Sequence, residues 1–254
     1  MGAGPPRLAV DGIAKTFDGR ETLAPTTLAL APGEFVSLVG PSGCGKSTLF
    51  NIVSGLIRPD AGSVAIDGRD VTGTSGTVGY MLQKDLLVPW RTVVGNIALG
   101  AALTRGATRA DEEQAIAFAR RYGLDGFLDH YPHALSGGMR QRVALMRTLA
   151  TNHDVLLLDE PFGALDSQTR LEMQQWLLEV WRETARTVLF VTHDVDEAIF
   201  LSDRVLVMSP RPGRIARELP VELPRPRTLE LMTSPAFNDV KREILGLLHG
   251  QAAA

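Results

Sequence analysis

The sequence predicts a mixed α/β fold with a central, mostly parallel sheet, and three observations carry that expectation. The run Val155–Leu158 is continuously apolar, the pattern of a strand covered on both faces. Further short apolar runs, Thr187–Thr192 and Arg204–Met208, are separated from it and from each other by helical stretches. Between the apolar segment Glu34–Val39 and a helical start at Ser47 lies Gly40-Pro41-Ser42-Gly43-Cys44-Gly45-Lys46-Ser47-Thr48, which fits G-x-x-x-x-G-K-[ST] in its required strand–loop–helix setting.

Composition narrows the function classes. The chain has 254 residues, 44% hydrophobic and 22% charged, enough to bury a sizeable core in one large α/β domain or two small ones. A net charge of -3 offers no global argument for nucleic-acid binding. Cys44 is the one cysteine, so an internal disulfide and a cysteine-rich metal site are both excluded. No stretch is long and apolar enough to span a bilayer. Met1–Arg7 lacks the apolar core of a secretion signal, and Arg7 stands where an acylation pattern beginning Met-Gly wants Ser or Thr. The expectation is a cytosolic chain unless another protein holds it at a membrane.

In order along the chain, Leu8–Ile13 reads as a strand and Lys15–Gly19 as a turn carrying Phe17. Thr27–Leu30 reads as a second strand, closed by Pro32-Gly33. The helix after the phosphate-binding loop should end near Gly55. Val64–Ile66 is a short strand before the hairpin signal Asp67-Gly68, and Thr77–Met81 is another strand. From Thr92 to Ala150 the texture is helical, with helices over Asp111–Tyr122 and from about Met139 to Leu149. Ser167–Glu183 predicts a long amphipathic helix and Asp194–Leu201 a short one. Beyond Pro210, Pro212-Gly213 is a hairpin turn and Leu219–Arg227 is proline-rich and extended. Ser234-Pro235 opens a closing helix with Phe237, Val240, Ile244, Leu247 and Leu248 on one face, and Gly250–Ala254 should fray. No internal repeat is present. The expected division is a nucleotide-binding domain over 1–225, with a helical subdomain about 91–150, and a C-terminal helical extension over 226–254.

The residue types explain the chemistry. Gly40, Gly43 and Gly45 let the backbone bend where a Cβ would resist and let its N–H groups close on phosphate oxygens. The helix behind them points its positive end at the same anion. Lys46 adds a full charge for β- and γ-phosphates, and Ser47 places a hydroxyl for Mg²⁺. The strand ending in Asp159-Glu160 would bring one carboxylate to Mg²⁺ and the next, as general base, to an attacking water. Leu135-Ser136-Gly137-Gly138-Met139-Arg140-Gln141 opens a helix with a second anion-binding N-terminus.

These segments together resemble the ATP-binding cassette (ABC) family over nearly the whole chain, with Ser136-Gly137-Gly138 in its signature and Met139 where the family usually has Gln. The resemblance implies a P-loop NTPase with a RecA-like core, an antiparallel β-subdomain and a helical signature subdomain. It implies ATP and Mg²⁺ as ligands and ATP hydrolysis as the reaction. It also implies that Phe17 stacks on the base, that Gln83 reaches Mg²⁺ and the water, that Ala164-Leu165-Asp166 crosses to a second subunit, and that His193 meets the γ-phosphate and Glu160. Ser136–Gly138 of one copy would complete the ATP site of another, giving an ATP-joined homodimer. The remaining histidines, His130, His133, His153 and His249, read as surface or packing residues.

Leu86-Leu87-Val88-Pro89-Trp90 is a poor solvated loop and a good docking surface; in the family the region Gln83–Trp90 meets an integral membrane permease. This stretch, with Ser209-Pro210-Arg211-Pro212-Gly213-Arg214-Ile215, is similar to importers of nitrate, sulfonates and taurine, while Gly79–Gln83 is also similar to cassettes for pyrimidine precursors of thiamine. The resemblance implies a peripheral place on the cytoplasmic face of the cell membrane and an extracytoplasmic solute-binding protein as indirect partner, with no nucleic acid. A P-loop kinase or GTPase would lack Leu135–Gly138 and His193. A soluble ABC protein of translation or repair would carry tandem cassettes or a long coiled coil, and exporters are often fused to membrane helices.

Overall fold

The computed structural model describes residues 5–106 and 108–250. Its strands are β1 (Leu8–Phe17), β2 (Arg20–Leu30), β3 (Phe35–Val39), β4 (Ala61–Ile66), β5 (Arg69–Asp70), β6 (Gly79–Met81), β7 (Val155–Asp159), β8 (Thr187–Val191), β9 (Arg204–Met208) and β10 (Ile215–Pro220). Its α-helices are α1 (Lys46–Val53), α2 (Val93–Arg105), α3 (Arg109–Arg121), α4 (Gly137–Leu149), α5 (Ser167–Thr184), α6 (Val195–Leu201) and α7 (Pro235–Gly250).

The larger sheet has the order β10-β9-β3-β8-β7-β6. β9, β3, β8, β7 and β6 pair parallel, and β10 pairs antiparallel at one edge. Every residue of β3, β7 and β8 is buried, which is why those strands are apolar without alternation. Alternate residues serve two cores. Phe35, Leu156, Leu158, Val188 and Phe190 join α2 to α7 on one face. Val36, Leu38, Val155, Leu157 and Leu189 join α1 and the four-stranded sheet β2-β1-β4-β5 on the other.

Several boundaries differ from the sequence expectation. β1 runs on to Phe17 and β2 begins at Arg20, so the turn is reduced to Asp18 and Gly19, both at positive φ. The register shifts between Val10 and Ile13, around Gly12 at φ 58, and again before Lys15. Such bulges break the period-two pattern from which strands are read. α4 starts at Gly137, because Ser136 caps it by accepting from Met139 N; a cap allows even two glycines inside the first turn. β10 has no strand counterpart in the sequence expectation, whose extended segment Leu219–Arg227 overlaps it only at Leu219 and Pro220. It is a polar edge strand, and its terminal Pro220 is tolerated there because an edge leaves donors unpaired anyway.

The closing helix forms as expected. Ser234 Oγ accepts from Phe237 N at its start. Phe237 and Ile244 are buried, with Val240, Leu247 and Leu248 packed beside them; each fully buried side chain contributes about 1.5–3 kcal/mol. Of the residues expected to fray, Gly250 is the last residue of α7 and 251–254 lie outside the described residues, as do 1–4. Among the described residues, no helix is long and apolar enough to cross a membrane.

Candidate functional site

Parallel strands deliver their C-terminal ends to one edge of the sheet, where ligands of open α/β folds bind. Here Leu38 is in register with Val191, Asp159 with Val191, and Met81 with Leu158. That alignment brings together four segments far apart in sequence: Gly40–Thr48 after β3, Asp159-Glu160 at the end of β7, Thr192-His193 after β8, and Gln83 after β6.

The phosphate-binding loop has the backbone its glycines imply. Gly43 and Gly45 sit at φ 76 and 109. A Cβ on Gly45 would also meet Leu23 Cδ2 at 2.9 Å, so this position is closed to side chains twice over. Pro41, Ser42 and Gly43 are exposed, Gly40 and Thr48 half-buried, and Cys44 buried. Lys46 turns back over the loop, its Nζ donating to the carbonyls of Gly40 (2.8 Å) and Pro41 (3.0 Å).

Asp159 is 5% exposed. Burial pushes its carboxyl up to about 6, against the opposing pull of a hydrogen bond from Ser47, and the nearby Glu160 charge pushes the same way as burial. A cation here would remove the cost of burying that charge. Among the described residues no three or more His, Cys, Asp or Glu gather as metal ligands. The donors on offer are hard oxygens, from Ser47 and Asp159, with the Gln83 amide nearby. Such a sparse oxygen set fits Mg²⁺, which keeps water and takes phosphate oxygens alongside one or two protein ligands.

Glu160 follows with φ 47, a left-handed backbone rare for a side-chain-bearing residue. Its N–H donates to Val191 O at 2.9 Å, which ties it to β8. Its Oε2 accepts from Gln83 Nε2 at 2.9 Å and lies 3.6 Å from His193 Nδ1. A glutamine and a histidine from two other strand ends thus converge on one glutamate oxygen. Phe17 ends β1 and is 40% exposed, and the Lys15 ammonium is 5.6 Å from its ring centroid.

Ser136 and Gly137 are exposed at the start of α4, and no hydrogen bond joins them to Gly40–Thr48 among the described residues. A Cβ on Gly138 would lie 3.1 Å from Leu165 Cδ2, so the α4 start packs on the Ala164–Asp166 loop. Asp166 itself caps α5, its Oδ1 accepting from Thr169 N at 3.0 Å.

The loop after Gln83 is built by residues that sequence reasoning did not single out. Arg140 Nε pairs with Asp85 Oδ2 at 3.0 Å, and Arg147 donates to the carbonyls of Leu86 (2.8 Å) and Asp85 (2.6 Å). Asn96, fully buried, donates to the carbonyls of Val88, Arg91 and Thr92 and accepts from Val88 N. An amide in the apolar texture of α2 was the available signal. Held in this way, the loop presents Trp90 at 77% and Leu86 at 54% exposure.

The sequence model of the ABC transporter family matches residues 23–163 of this chain. The chain belongs to the ABC transporter family. Relatives of this ABC cassette include the taurine import ATP-binding protein TauB of Rhizobium johnstonii, 45% identical over 85% of this chain and 84% of its own length. The aliphatic sulfonates import ATP-binding protein SsuB of Bacillus cereus is 41% identical over 94% of each. Among solved structures, a dimeric post-hydrolysis state of the ATP-binding cassette MJ0796 bound to ADP and Pi superposes with a TM-score of 0.76 and 32% identity, covering 85% of this chain and 99% of that one. The protein is an ABC ATPase: it binds ATP and hydrolyses it.

Proposed function

We propose that this ABC ATPase drives an importer, taking up a small sulfonate-, taurine- or nitrate-like solute through a separate membrane permease. The observation that carries this reading is that the exposed Leu86 and Trp90 belong to the same loop as Gln83, which bonds the carboxylate of Glu160. A change at Glu160 therefore has a short route, one hydrogen bond and then the continuous loop, to an apolar surface fit for a partner. Relatives named for taurine and sulfonate import support the solute class.

In this reading the N–H groups of Gly40–Thr48 and Lys46 hold the β- and γ-phosphates, Lys46 leaving the carbonyls of Gly40 and Pro41 to do so. Ser47 and Asp159, with Gln83, would hold Mg²⁺, which neutralises phosphate charge when bound. Glu160 accepts the proton of the attacking water. Gln83 orients the Glu160 carboxylate, and His193 meets both that carboxylate and the γ-phosphate. Phe17 stacks on the adenine. Ser136, Gly137 and Gly138 reach the ATP held by a second copy, beside its Asp166 loop. The exposure of Ser136–Gly137, with no bond to the loop of their own chain, supports that placement, as does the dimeric state of the MJ0796 cassette. The assembly would sit peripherally on the cytoplasmic face of the membrane, served by an extracytoplasmic solute-binding protein.

Growth of a strain lacking the chain tests the solute. The expected result is failure on taurine or an alkanesulfonate as sole sulfur source, restored by the native chain and not by Glu160→Gln. Normal growth on both sulfur sources and on nitrate, with failure only when thiamine is withheld, would overturn it in favour of a thiamine-precursor importer.

A further inference from the structure

The turn between β9 and β10 contains Pro212-Gly213, expected from the sequence as a hairpin turn, within the Ser209–Ile215 stretch that marks the likeness to importers. The structure gives it a position. Gly213 is buried against the phosphate-binding loop, with no room for a Cβ beside the Cys44 carbonyl. Its carbonyl accepts from Ala24 N at 3.0 Å and its N–H donates to Thr22 O at 2.9 Å. Ser209 pins the turn from within, its hydroxyl accepting from Arg214 N at 3.1 Å and lying 3.2 Å from the Pro212 carbonyl. The turn is thus anchored to both the loop and β2.

Arg211 projects from this anchored turn. It is exposed and has no hydrogen bond or ion pair among the described residues. It lines a pocket of about 410 Å³ with Phe17, Asp18, Arg20, Thr22 and Thr48, within the roughly 300–1,000 Å³ common for small-molecule sites. Thr48 belongs to the phosphate-binding loop and Phe17 ends the β1 strand, so the pocket spans from where phosphates would end to the exposed aromatic ring. Lys15, the cation already near that ring, is tied to Asp60 at 2.6 Å and to the Arg58 carbonyl at 3.0 Å. Arg20 stems from the same hairpin as Phe17, its direct cross-strand partner. Arg211 alone among the pocket's cations comes from a separate element fixed to the loop.

We propose that Arg211 is a nucleoside-positioning residue, its planar guanidinium covering the purine that Phe17 stacks. The inference rests on the reading of Phe17 as the base-stacking residue. A guanidinium suits this role because it is flat, permanently charged and weakly hydrated, and it stacks on π-systems where an ammonium does not.

The test is nucleotide binding by the purified full chain, titrated with MgATP and with inorganic tripolyphosphate, which has no base. Arg211→Ala should weaken ATP roughly tenfold and leave tripolyphosphate unchanged. Arg211→Lys should fail to restore ATP binding, because it keeps the charge and loses the plane. Native ATP affinity in Arg211→Ala, equal losses for both ligands, or full rescue by lysine would each overturn the proposal. Phe17→Ala run alongside separates the two claims. If it loses ATP selectively while Arg211→Ala does not, only the Arg211 role fails; if neither loses ATP selectively, the Phe17 reading fails with it.

Discussion

Gln83 donates through Nε2 to Glu160 Oε2 at 2.9 Å, so a residue on the loop leaving β6 holds the carboxylate that follows β7. His193 Nδ1 stands 3.6 Å from the same oxygen. The carboxylate is thus held by one hydrogen bond and flanked by an imidazole on the same oxygen.

Replacing that carboxylate by its amide should separate binding from chemistry. Glu160→Gln keeps the shape and loses the base, so hydrolysis should fall by about 10²–10⁴-fold. ATP binding should persist, and a nucleotide-bound dimer should accumulate on size-exclusion chromatography. Hydrolysis at the native rate would remove the general-base role.

Trp90 is too exposed to stabilise the fold. Trp90→Ala should change unfolding free energy by less than about 0.5 kcal/mol and leave basal ATPase intact. Transport in vesicles containing the permease should drop, and unaltered transport would discard the docking surface.

Asn96 organises that surface from below. Asn96→Ala leaves the half-buried Val88 N–H and three carbonyls without their side-chain partner, at a cost of about 1–3 kcal/mol. Denaturant unfolding should show that loss. Protease sensitivity should rise within 88–92, and an unchanged digestion pattern would contradict the assignment.

Glu197 supplies a pH signature. It is buried in the first turn of α6, accepting from Gln174 Nε2 at 2.9 Å, and burial holds its carboxyl above the ordinary glutamate range, against hydrogen bonds from Thr192 and Gln174. The folded chain therefore binds this proton more tightly than the unfolded chain. The stability linked to it is fully present below the ordinary glutamate pKa and is lost as pH rises through the folded value. Glu197→Gln should flatten that part of the profile and gain relative to the native chain as pH rises, because the amide has no buried charge to form; at every pH it also offers a donor to the unsatisfied Gln174 Oε1. Parallel thermal-unfolding curves for the two proteins across that range would refute the linkage.

Gly213 tests the anchor of the Arg211 turn. Gly213→Ala must displace the Cys44 carbonyl or the β9–β10 turn. A loss of about 1–3 kcal/mol is expected from overpacking, together with weaker ATP binding. Native stability on chemical denaturation would show that the contact relaxes freely.

What was legible in the sequence is chemistry carried by adjacent residues. Gly40–Thr48 needs its glycines, lysine and hydroxyl within a few positions of one another, and Val155–Glu160 needs only an apolar strand with acids at its end. The strands β3, β7 and β8 were equally plain, because burial on both faces leaves an unbroken apolar run. The less legible features depend on distant partners. Arg140 answers Asp85 across 55 positions and Arg147 answers Leu86 across 61, and no local pattern names such pairs. Gly213 is required by Cys44 on another strand end, and bulges in β1 disguise a strand as a turn.

The grip of Arg140 and Arg147 on Asp85 and Leu86 has a mechanical consequence. Both arginines belong to α4, whose first residues are Gly137 and Gly138. One end of that rod presents Gly137 to solvent, and its flank clamps the segment bearing Leu86 and Trp90. A tilt of α4 would pull on Asp85 and Leu86 through these bonds, as a crank pulls its pin. The exposed start of α4 and the exposed Leu86 and Trp90 thus share one mount, joined by contacts that lie apart from the Gln83–Glu160 bond.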